Sequence, residues 1–169
     1  MIPVTDPAAS DWSLRHVVDC AVDNVAAGGG PFAALITRGT DIVAEGVNRV
    51  TRDLDPTAHA EVVAIRTACQ ALNTFSLAGC VLVSSCEPCP LCLSAALWAR
   101  VDEVVYIADR HDAARAGFDD SAFYDLFDQP RSSWPTPVRQ TSLGSGKNKS
   151  GDNHRPFDAW LAKTDRIAY

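Results

Sequence analysis

Apolar positions at helical spacing open the chain, and runs rich in β-forming residues follow them. Ser10 or Asp11 can cap the first predicted helix, and the glycines at 28–30 end it. Two β-rich runs, 32–37 and 42–47, are joined by a short turn-like segment and predict a hairpin. The apolar face of the helix carries Leu14, Val17, Val18, Ala21, Val22 and Val25.

The middle of the chain predicts two more helices and two more strands. The apolar strand 81–83 leads directly into Cys86-Glu87-Pro88-Cys89, and Pro88 suits the first turn of a third helix. A fourth strand is predicted over 104–107. Before them, a helix over 57–72 has its buried stripe at Val62, Ile65, Cys69 and Leu72.

The pattern after residue 107 is looser but still alternates between elements. It predicts a loop over 117–120, a short helix over 121–127, a fifth strand over 138–143, a flexible linker over 144–155 and an amphipathic helix over 157–167. Strands that alternate with helices after an opening hairpin are typical of an α/β fold. We therefore expect residues 1–169 to form one three-layer α/β/α domain with a mixed sheet.

Composition and charge narrow the kind of partner. The chain has 169 residues, of which 47% are hydrophobic, so it can bury the core of one globular domain. It has no basic start and no apolar run of membrane-spanning length, which predicts a cytoplasmic protein that does not contact a membrane. With 15 basic against 21 acidic residues, a nucleic-acid substrate is disfavoured and a small neutral molecule is favoured.

Six cysteines divide into two groups. Cys20, Cys69 and Cys80 lie among Ala, Val and Leu, where a thiol packs as a small hydrophobic side chain. The other three, at positions 86, 89 and 92, come within seven residues and call for a chemical explanation. Because no feature of the chain indicates export, a disulfide framework is not the preferred interpretation.

Two short motifs carry that chemistry. Cys89 and Cys92 are spaced one turn apart at a predicted helix start, where unpaired amide groups and the helix dipole favour thiolates. With His59 they supply three Zn²⁺ ligands, and three protein ligands leave the fourth tetrahedral position open for water, as in catalytic sites. Glu61 follows His59 by two residues and is placed to move protons beside the metal without binding it.

Other interpretations of these motifs stay open at this point. A Cys-x-x-Cys pair alone also occurs in redox proteins. A purely structural zinc site would need a fourth ligand, and the candidates are Cys86, His16, His111 and His154. A Cys86 that ends its strand and points into the core is the preferred interpretation.

The motifs together resemble the cytidine deaminase superfamily, and within it the bacterial guanine deaminases. The resemblance extends over nearly the whole chain. It rests on Gly29-Gly30-Pro31-Phe32, Asp55-Pro56-Thr57-Ala58-His59-Ala60-Glu61, Thr67-Ala68-Cys69, Ser85-Cys86-Glu87-Pro88-Cys89-Pro90-Leu91-Cys92, Trp98-Ala99-Arg100, Gly117-Phe118-Asp119-Asp120-Ser121 and the Pro156-Phe157-x-Ala159-Trp160 ending with Tyr169.

This resemblance implies a five-stranded sheet between helices, one zinc ion per subunit, and a homodimer whose C-terminal segments, 156–169, are exchanged to close the active sites. It implies a hydrolytic deaminase of a free nucleobase, most directly guanine. Glu61 would be the first proton shuttle and Asp120 a second acidic group at the departing amine. The implied substrate-binding residues are Phe32, Asn48, Ala60, Trp98, Phe118 and Tyr169.

This chain departs from the family pattern in two places, one that affects the substrate pocket and one that affects the path of the C-terminal segment. Ala33 stands where similar proteins have glycine, and the stretch before Pro156 is longer. The alternatives are a deaminase of another aminated ring, such as a cytosine-like base or an aminotriazine, or of guanosine. From other classes, they are a tRNA-editing adenosine deaminase and a non-catalytic zinc-stabilised interaction module.

Overall fold

A computed structural model describes residues 9–141 and 152–168. The chain divides into two compact units, Met1–Asp125 and Leu126–Tyr169. The elements of the first unit are α1 Asp11–Ala26, β1 Ala33–Arg38, β2 Asp41–Val47, α2 Val50–Asp53, α3 Ala60–Ala71, β3 Val81–Cys86, α4 Pro90–Ala99, β4 Glu103–Ala108 and α5 Arg110–Arg115. Helix α6, Ser121–Phe127, runs from the first unit into the second, which also contains α7 Arg155–Ala162 and 3₁₀ turns at Arg131–Ser133 and Asp152–His154.

In the described part of the chain the sheet has four strands, in the order β2-β1-β3-β4. Strand β1 is antiparallel to both β2 and β3, whereas β3 and β4 are parallel. The sheet is therefore mixed, as expected from an opening hairpin followed by a strand–helix–strand crossover. A bulge between Ile36 and Thr37 interrupts the hairpin register.

Helices cover both faces of this sheet, which makes three layers. On one face, Val17 and Ala21 of α1 pack against Leu35 and Val83. On the other face, α3 and α4 supply Ala60, Ala64, Ile65, Ala68, Ala96 and Ala99 to a core that includes Ile36 and Leu82. Because both faces of β1 are buried, the strand shows no apolar–polar alternation. The α/β class is confirmed.

The helix ends follow local chemistry, and several are shifted from expectation; α3, for example, starts at Ala60 rather than at residue 57. Ser10 caps α1, and its Oγ accepts a hydrogen bond from the Ser13 backbone amide. Pro90, rather than Pro88, occupies the first turn of α4, which starts two residues later than expected because Cys89 is its N-cap. Helix α5 was not predicted; its capping box joins Asp109 and Asp112.

The expectation of a fifth strand over 138–143 was wrong for its described part. Residues 138–141 have no regular structure, and the last two positions lie outside the described residues. Val138 is the sole large apolar residue of these four and is half exposed. A β-branched side chain without a buried face does not make a strand.

The second unit has its own local packing. Phe127 and Trp134 meet edge to face, with ring centroids 5.5 Å apart. Helix α7 is shorter than expected and ends at Ala162. Most of the linker lies outside the described residues, so its flexibility stays a prediction. Within the described ranges, every helix is too short or too polar to cross a bilayer.

Gly46 lets β2 approach α3 closely, so we expect its replacement to be costly. A Cβ atom there would lie 2.5 Å from the backbone nitrogen of Ala64 and closer still to the Ala60 carbonyl oxygen. Gly46→Ala should lower the free energy of unfolding by about 3 kcal/mol, because the conflict is with helix backbone. Urea denaturation followed by circular dichroism measures this loss.

Gly39→Ala is the matched control. Its added Cβ meets open space, and the expected cost of about 1 kcal/mol comes from the positive φ alone. Equal losses for the two variants would contradict the close-approach argument.

Candidate active site

Two helix N-termini meet at the side chains that the sequence singled out. His59 is the N-cap of α3 and Cys89 is the N-cap of α4, both in extended conformation. Neither side chain caps its own helix within the described structure. Their donor atoms converge instead: His59 Nδ1 lies 3.6 Å from Cys89 Sγ and 3.5 Å from Cys92 Sγ, and the two sulfurs are 3.6 Å apart.

This triangle of donor atoms has the dimensions of a zinc site. Zn–S distances of about 2.3 Å and Zn–N distances of about 2.0–2.1 Å place the corners of a tetrahedron about 3.5–3.8 Å apart. Among the described residues, the three form one of the groups able to hold a metal ion. Two sulfurs and one imidazole suit zinc. The residues therefore fit the ion.

The environment of Cys89 favours its thiolate form. Hydrogen bonds with Cys92 and His59 lower the pKa of the Cys89 thiol to about 4, against the opposing effect of burial. The same contact with Cys89, together with burial, raises the pKa of Cys92, so the first proton leaves from Cys89. Contact with Cys89 also raises the pKa of His59. The uncapped amide groups at both helix starts add further positive potential.

Glu61 lies beside the donor triangle in the first turn of α3. Its side chain is only 5% exposed. Ser84 Oγ–H donates to one carboxyl oxygen at 3.1 Å, and Cys92 Sγ lies 3.2 Å from the other. Burial raises the pKa of this carboxyl. A buried carboxyl whose pKa is raised and whose position is fixed by hydrogen bonds is suited to accept and return a proton.

A cavity of about 490 Å³ opens next to these groups. Phe32 and Phe118 meet edge to face in its wall, with ring centroids 5.0 Å apart. Most of the residues that the sequence nominated are in its lining, which consists of Gly28, Gly29, Gly30, Phe32, Asn48, Val50, Thr51, His59, Ala60, Glu61, Cys86, Glu87, Cys89, Arg110, Ala113, Phe118, Asp119 and Asp120. The size and the mix of apolar walls with a few polar groups suit a small heterocycle.

Asn48 is held in the cavity wall by a residue that sequence reasoning missed. The buried Asn24 of α1 donates from Nδ2 to the carbonyl oxygens of Gly30 at 2.8 Å and Asn48 at 3.0 Å. Asn48 Oδ1 in turn accepts from the Val50 amide at 3.3 Å. The Asn48 side chain therefore has a fixed orientation. Asn24 carried a readable signal, since it is a polar residue on the buried face of α1.

Asp120 also reaches this cavity, from the loop before α6. Its pKa is raised by partial burial and then by the negative charge of Cys89. Ser84, the partner of Glu61, was the other missed residue. Its signal was a hydroxyl inside the buried strand β3.

Of the two remaining predicted site residues, the one that the structure describes lies away from the cavity. Trp98 is absent from the described lining and is 67% exposed. It follows Cys92 by six positions on α4, which places it about 240° around the helix and beyond the first turn. Tyr169 lies outside the described residues, so its role stays a prediction.

The candidates for a fourth protein ligand lie elsewhere in the described part of the chain. Cys86 lines the cavity, but its sulfur contacts the Asp109 carbonyl oxygen at 3.6 Å, and burial raises its pKa to about 11. His16 pairs with Glu45. His111 is in none of the metal-binding groups found among the described residues, and because His154 belongs to the second unit its candidacy stays a prediction. The donor set is therefore one imidazole and two thiolates, which leaves one tetrahedral position for a non-protein ligand.

Known proteins share these features over different lengths of the chain. The family model described as the zinc-binding region of cytidine and deoxycytidylate deaminases matches residues 9–108. The guanine deaminase of Bacillus subtilis is 47% identical over 157 residues, which cover 92% of this chain and 96% of that protein. Its crystal structure superimposes with a TM-score of 0.87 at 44% identity, covering 95% and 99% of the two chains.

More distant proteins match shorter parts. A structure of guanine deaminase from Nitrosomonas europaea gives a TM-score of 0.63 at 34% identity, covering 66% of this chain and 65% of the other. A tRNA-specific adenosine deaminase of Aquifex aeolicus is 41% identical over 78 residues, 46% of this chain and 52% of its own length. The sequence match to this tRNA enzyme thus covers about half of the chain, and a structure of a tRNA:A34 deaminase covers 79% of it at 27% identity with a TM-score of 0.57.

Zinc content distinguishes a three-ligand site made by His59, Cys89 and Cys92 from a four-ligand site that also includes Cys86. We expect Cys89→Ser and Cys92→Ser to lose bound zinc, because a hydroxyl is a poor zinc ligand at neutral pH. Cys86→Ser should keep the wild-type content, since its hydroxyl can still donate to Asp109. The measurement is zinc per chain in purified, tag-free protein by mass spectrometry with plasma ionisation. Loss of zinc from Cys86→Ser would instead indicate a four-ligand structural site.

Proposed function

The chain belongs to the family of cytidine and deoxycytidylate deaminases, whose zinc-binding region it contains, and we propose that it hydrolyses guanine to xanthine and ammonia. The observation that carries the choice of substrate is the extent of similarity. The guanine deaminase of Bacillus subtilis matches 92% of the chain at 47% identity and its structure superimposes with a TM-score of 0.87, whereas a tRNA:A34 deaminase structure covers 79% of the chain at 27% identity with a TM-score of 0.57. The higher identity and better superposition over nearly the whole chain therefore favour a free purine base.

The reaction replaces the amino group on C2 of guanine with an oxygen from water. His59, Cys89 and Cys92 would hold the zinc ion, which would lower the pKa of a water molecule at the site to about 7. Glu61 accepts the proton from the attacking water and passes it to the adjacent ring nitrogen. It then carries the second water proton to the amine, the C2–N bond breaks and ammonia leaves.

Burial suits Glu61 to both transfers. The carboxylate form accepts a proton, and the raised pKa makes the neutral form accessible so that the same group can return it. Ser84 keeps the carboxyl oriented during both steps through its hydrogen bond at 3.1 Å. Ser84 is a positioning residue, because it acts through Glu61.

The cavity wall gives the remaining residues their proposed roles. Phe32 and Phe118 pack against the faces or edges of the purine, and the backbone of Ala60 lies beside it. The fixed side-chain amide of Asn48 hydrogen-bonds to the base. Asp120, whose pKa is also raised, serves as the second acidic group beside the departing amine.

The proposal includes a homodimer in which the C-terminal segments are exchanged. Trp98 and Leu97 form an apolar surface on α4, with exposed fractions of 67% and 80%, which suits burial by a second chain. In this arrangement Tyr169 reaches the partner's active site and covers the substrate. A cytoplasmic location is part of the proposal, because Cys89 and Cys92 hold zinc only as reduced thiols.

Ammonia release from a panel of substrates tests the reaction. The panel contains guanine, adenine, cytosine, guanosine, an aminotriazine and unmodified tRNA, and we expect guanine to have the highest kcat/KM. Glu61→Gln should lower kcat on guanine by about 10²–10⁴-fold, because the amide cannot transfer protons. Zinc content should be unchanged, since Glu61 is not a ligand.

Glu103→Gln, at the exposed start of β4, is the control and should retain wild-type kcat. If another ring is turned over faster than guanine, that ring is the substrate, and the proposed zinc chemistry is unchanged. No turnover of any compound by wild-type protein, with zinc bound, would refute the enzymatic proposal and favour the interaction module.

Complementation between two inactive variants tests the exchanged tail. One chain carries Glu61→Gln with an intact tail, and the other keeps Glu61 but lacks Tyr169. If the tail acts on the partner, mixing under exchange conditions should restore activity at about a quarter of the sites, because half of the dimers are mixed and each has one complete site. Activity that stays at the level of the separate variants would indicate that the tail acts on its own subunit. A monomeric mass by light scattering would refute the proposed dimer.

A further inference from the structure

A second cluster of metal-binding side chains lies on the sheet face that α1 covers. His16 and Cys20 are four residues apart on α1, so they share one side of the helix. Glu45 is on β2, an edge strand, between Ala44 and Gly46, which face α3. Strand alternation therefore turns Glu45 towards α1.

The donor atoms of these three residues are already close together. His16 Nε2 lies 2.7 Å from Glu45 Oε1 and 3.6 Å from Cys20 Sγ, and the sulfur is 4.0 Å from Glu45 Oε2. Trp12 stacks on the His16 ring at 5.2 Å between centroids and 8° between planes, which fixes the ring orientation. Among the described residues, this is the other group whose geometry could hold a metal ion.

We propose that His16, Cys20 and Glu45 form a second binding site for zinc, separate from the deaminase centre. One sulfur, one nitrogen and one carboxylate oxygen match the ligand types of zinc, whereas calcium and magnesium require oxygen ligands. Tetrahedral coordination needs the nitrogen and oxygen about 3.4 Å apart, so the His16–Glu45 hydrogen bond must open by less than about 1 Å.

The surroundings favour entry of a cation. His16 and Glu45 have side-chain exposures of 32% and 49%, so an ion can reach the site from solvent without any rearrangement of the core. Asp19 and Asp23, also on α1, act on Cys20 with negative charge and add to the attraction. None of the three ligands is in the described lining of the active-site cavity. The second site can therefore be tested without reference to deaminase activity.

Protection of Cys20 from alkylation is the first readout. Tag-free protein with its first zinc bound is treated with iodoacetamide in the presence or absence of added zinc, and modification of each cysteine is followed by peptide mass spectrometry. We expect added zinc to slow modification of Cys20 by at least about 10-fold and to have no such effect on Cys69. In His16→Ala and Glu45→Gln the protection should weaken by about the same factor or vanish.

Binding stoichiometry is the second readout. Wild-type protein should take up a second equivalent of zinc, measured by equilibrium dialysis, while Cys20→Ser should retain the first equivalent and lose the second. Asp23→Asn is the matched control, since it removes a charge from the same helix without removing a ligand, and it should keep both equivalents. Circular dichroism confirms that each variant is folded.

Cobalt gives a direct signature of the sulfur ligand. Added cobalt should produce a stronger thiolate-to-metal absorption band in wild-type protein than in Cys20→Ser, because only wild-type protein offers the sulfur of the second site. Bands of equal intensity would contradict the proposal. The proposal is overturned if wild-type protein binds one equivalent only, or if Cys20→Ser retains the second.

Discussion

The meeting of two helix N-termini is the constraint on which the rest of the structure depends. His59 and Cys89 are N-cap residues of different helices, separated by 30 positions, yet their donor atoms are 3.6 Å apart. Both helices must therefore lie on the same face of the sheet and start at the same edge. The small residues of α3 and α4, together with Gly46 on β2, permit this close packing.

A helix start without a side-chain cap is normally less stable, because a cap residue such as Ser or Asp accepts hydrogen bonds from the first amide groups. Here the cap positions hold the proposed zinc ligands, and the exposed amide groups and helix dipoles stabilise negative charge on the sulfurs. Ser10, at the start of α1, shows the ordinary solution in the same chain. The contrast between the two kinds of helix start marks the functional one.

The site also contains a buried carboxyl group, whose burial lowers the stability of the folded protein when the group is ionised. Glu61 is kept close to the metal ligands by Ser84, and its raised pKa follows from the same burial that shields it from water. An exposed carboxylate would stay ionised and could not return a proton easily. Burial that disfavours the ionised group in the folded protein thus makes it useful in the reaction, and the sheet provides the partner that keeps it in place.

Much of this was predictable from the order of the residues. The longer helices and the four strands of the sheet follow from hydrophobic spacing, whereas the short helices α2 and α5 were not predicted. His59, Glu61, Cys89 and Cys92 follow from motif spacing, because both signals are local. The expectation at Val138 failed because β-propensity does not reveal whether a neighbouring strand is present.

Tertiary structure alone decided which distant residues meet. Nothing in the spacing of Ser84 or Asn24 indicates that the first orients Glu61 and the second fixes Asn48. Cys20 packs against the core as expected, but α1 also brings its sulfur within 3.6 Å of His16 and 4.0 Å of Glu45. The sequence by itself determined the elements and the zinc chemistry, since these depend on residues a few positions apart. The packing of layers decided the rest, because contacts between strands and helices depend on register and orientation that no short segment encodes.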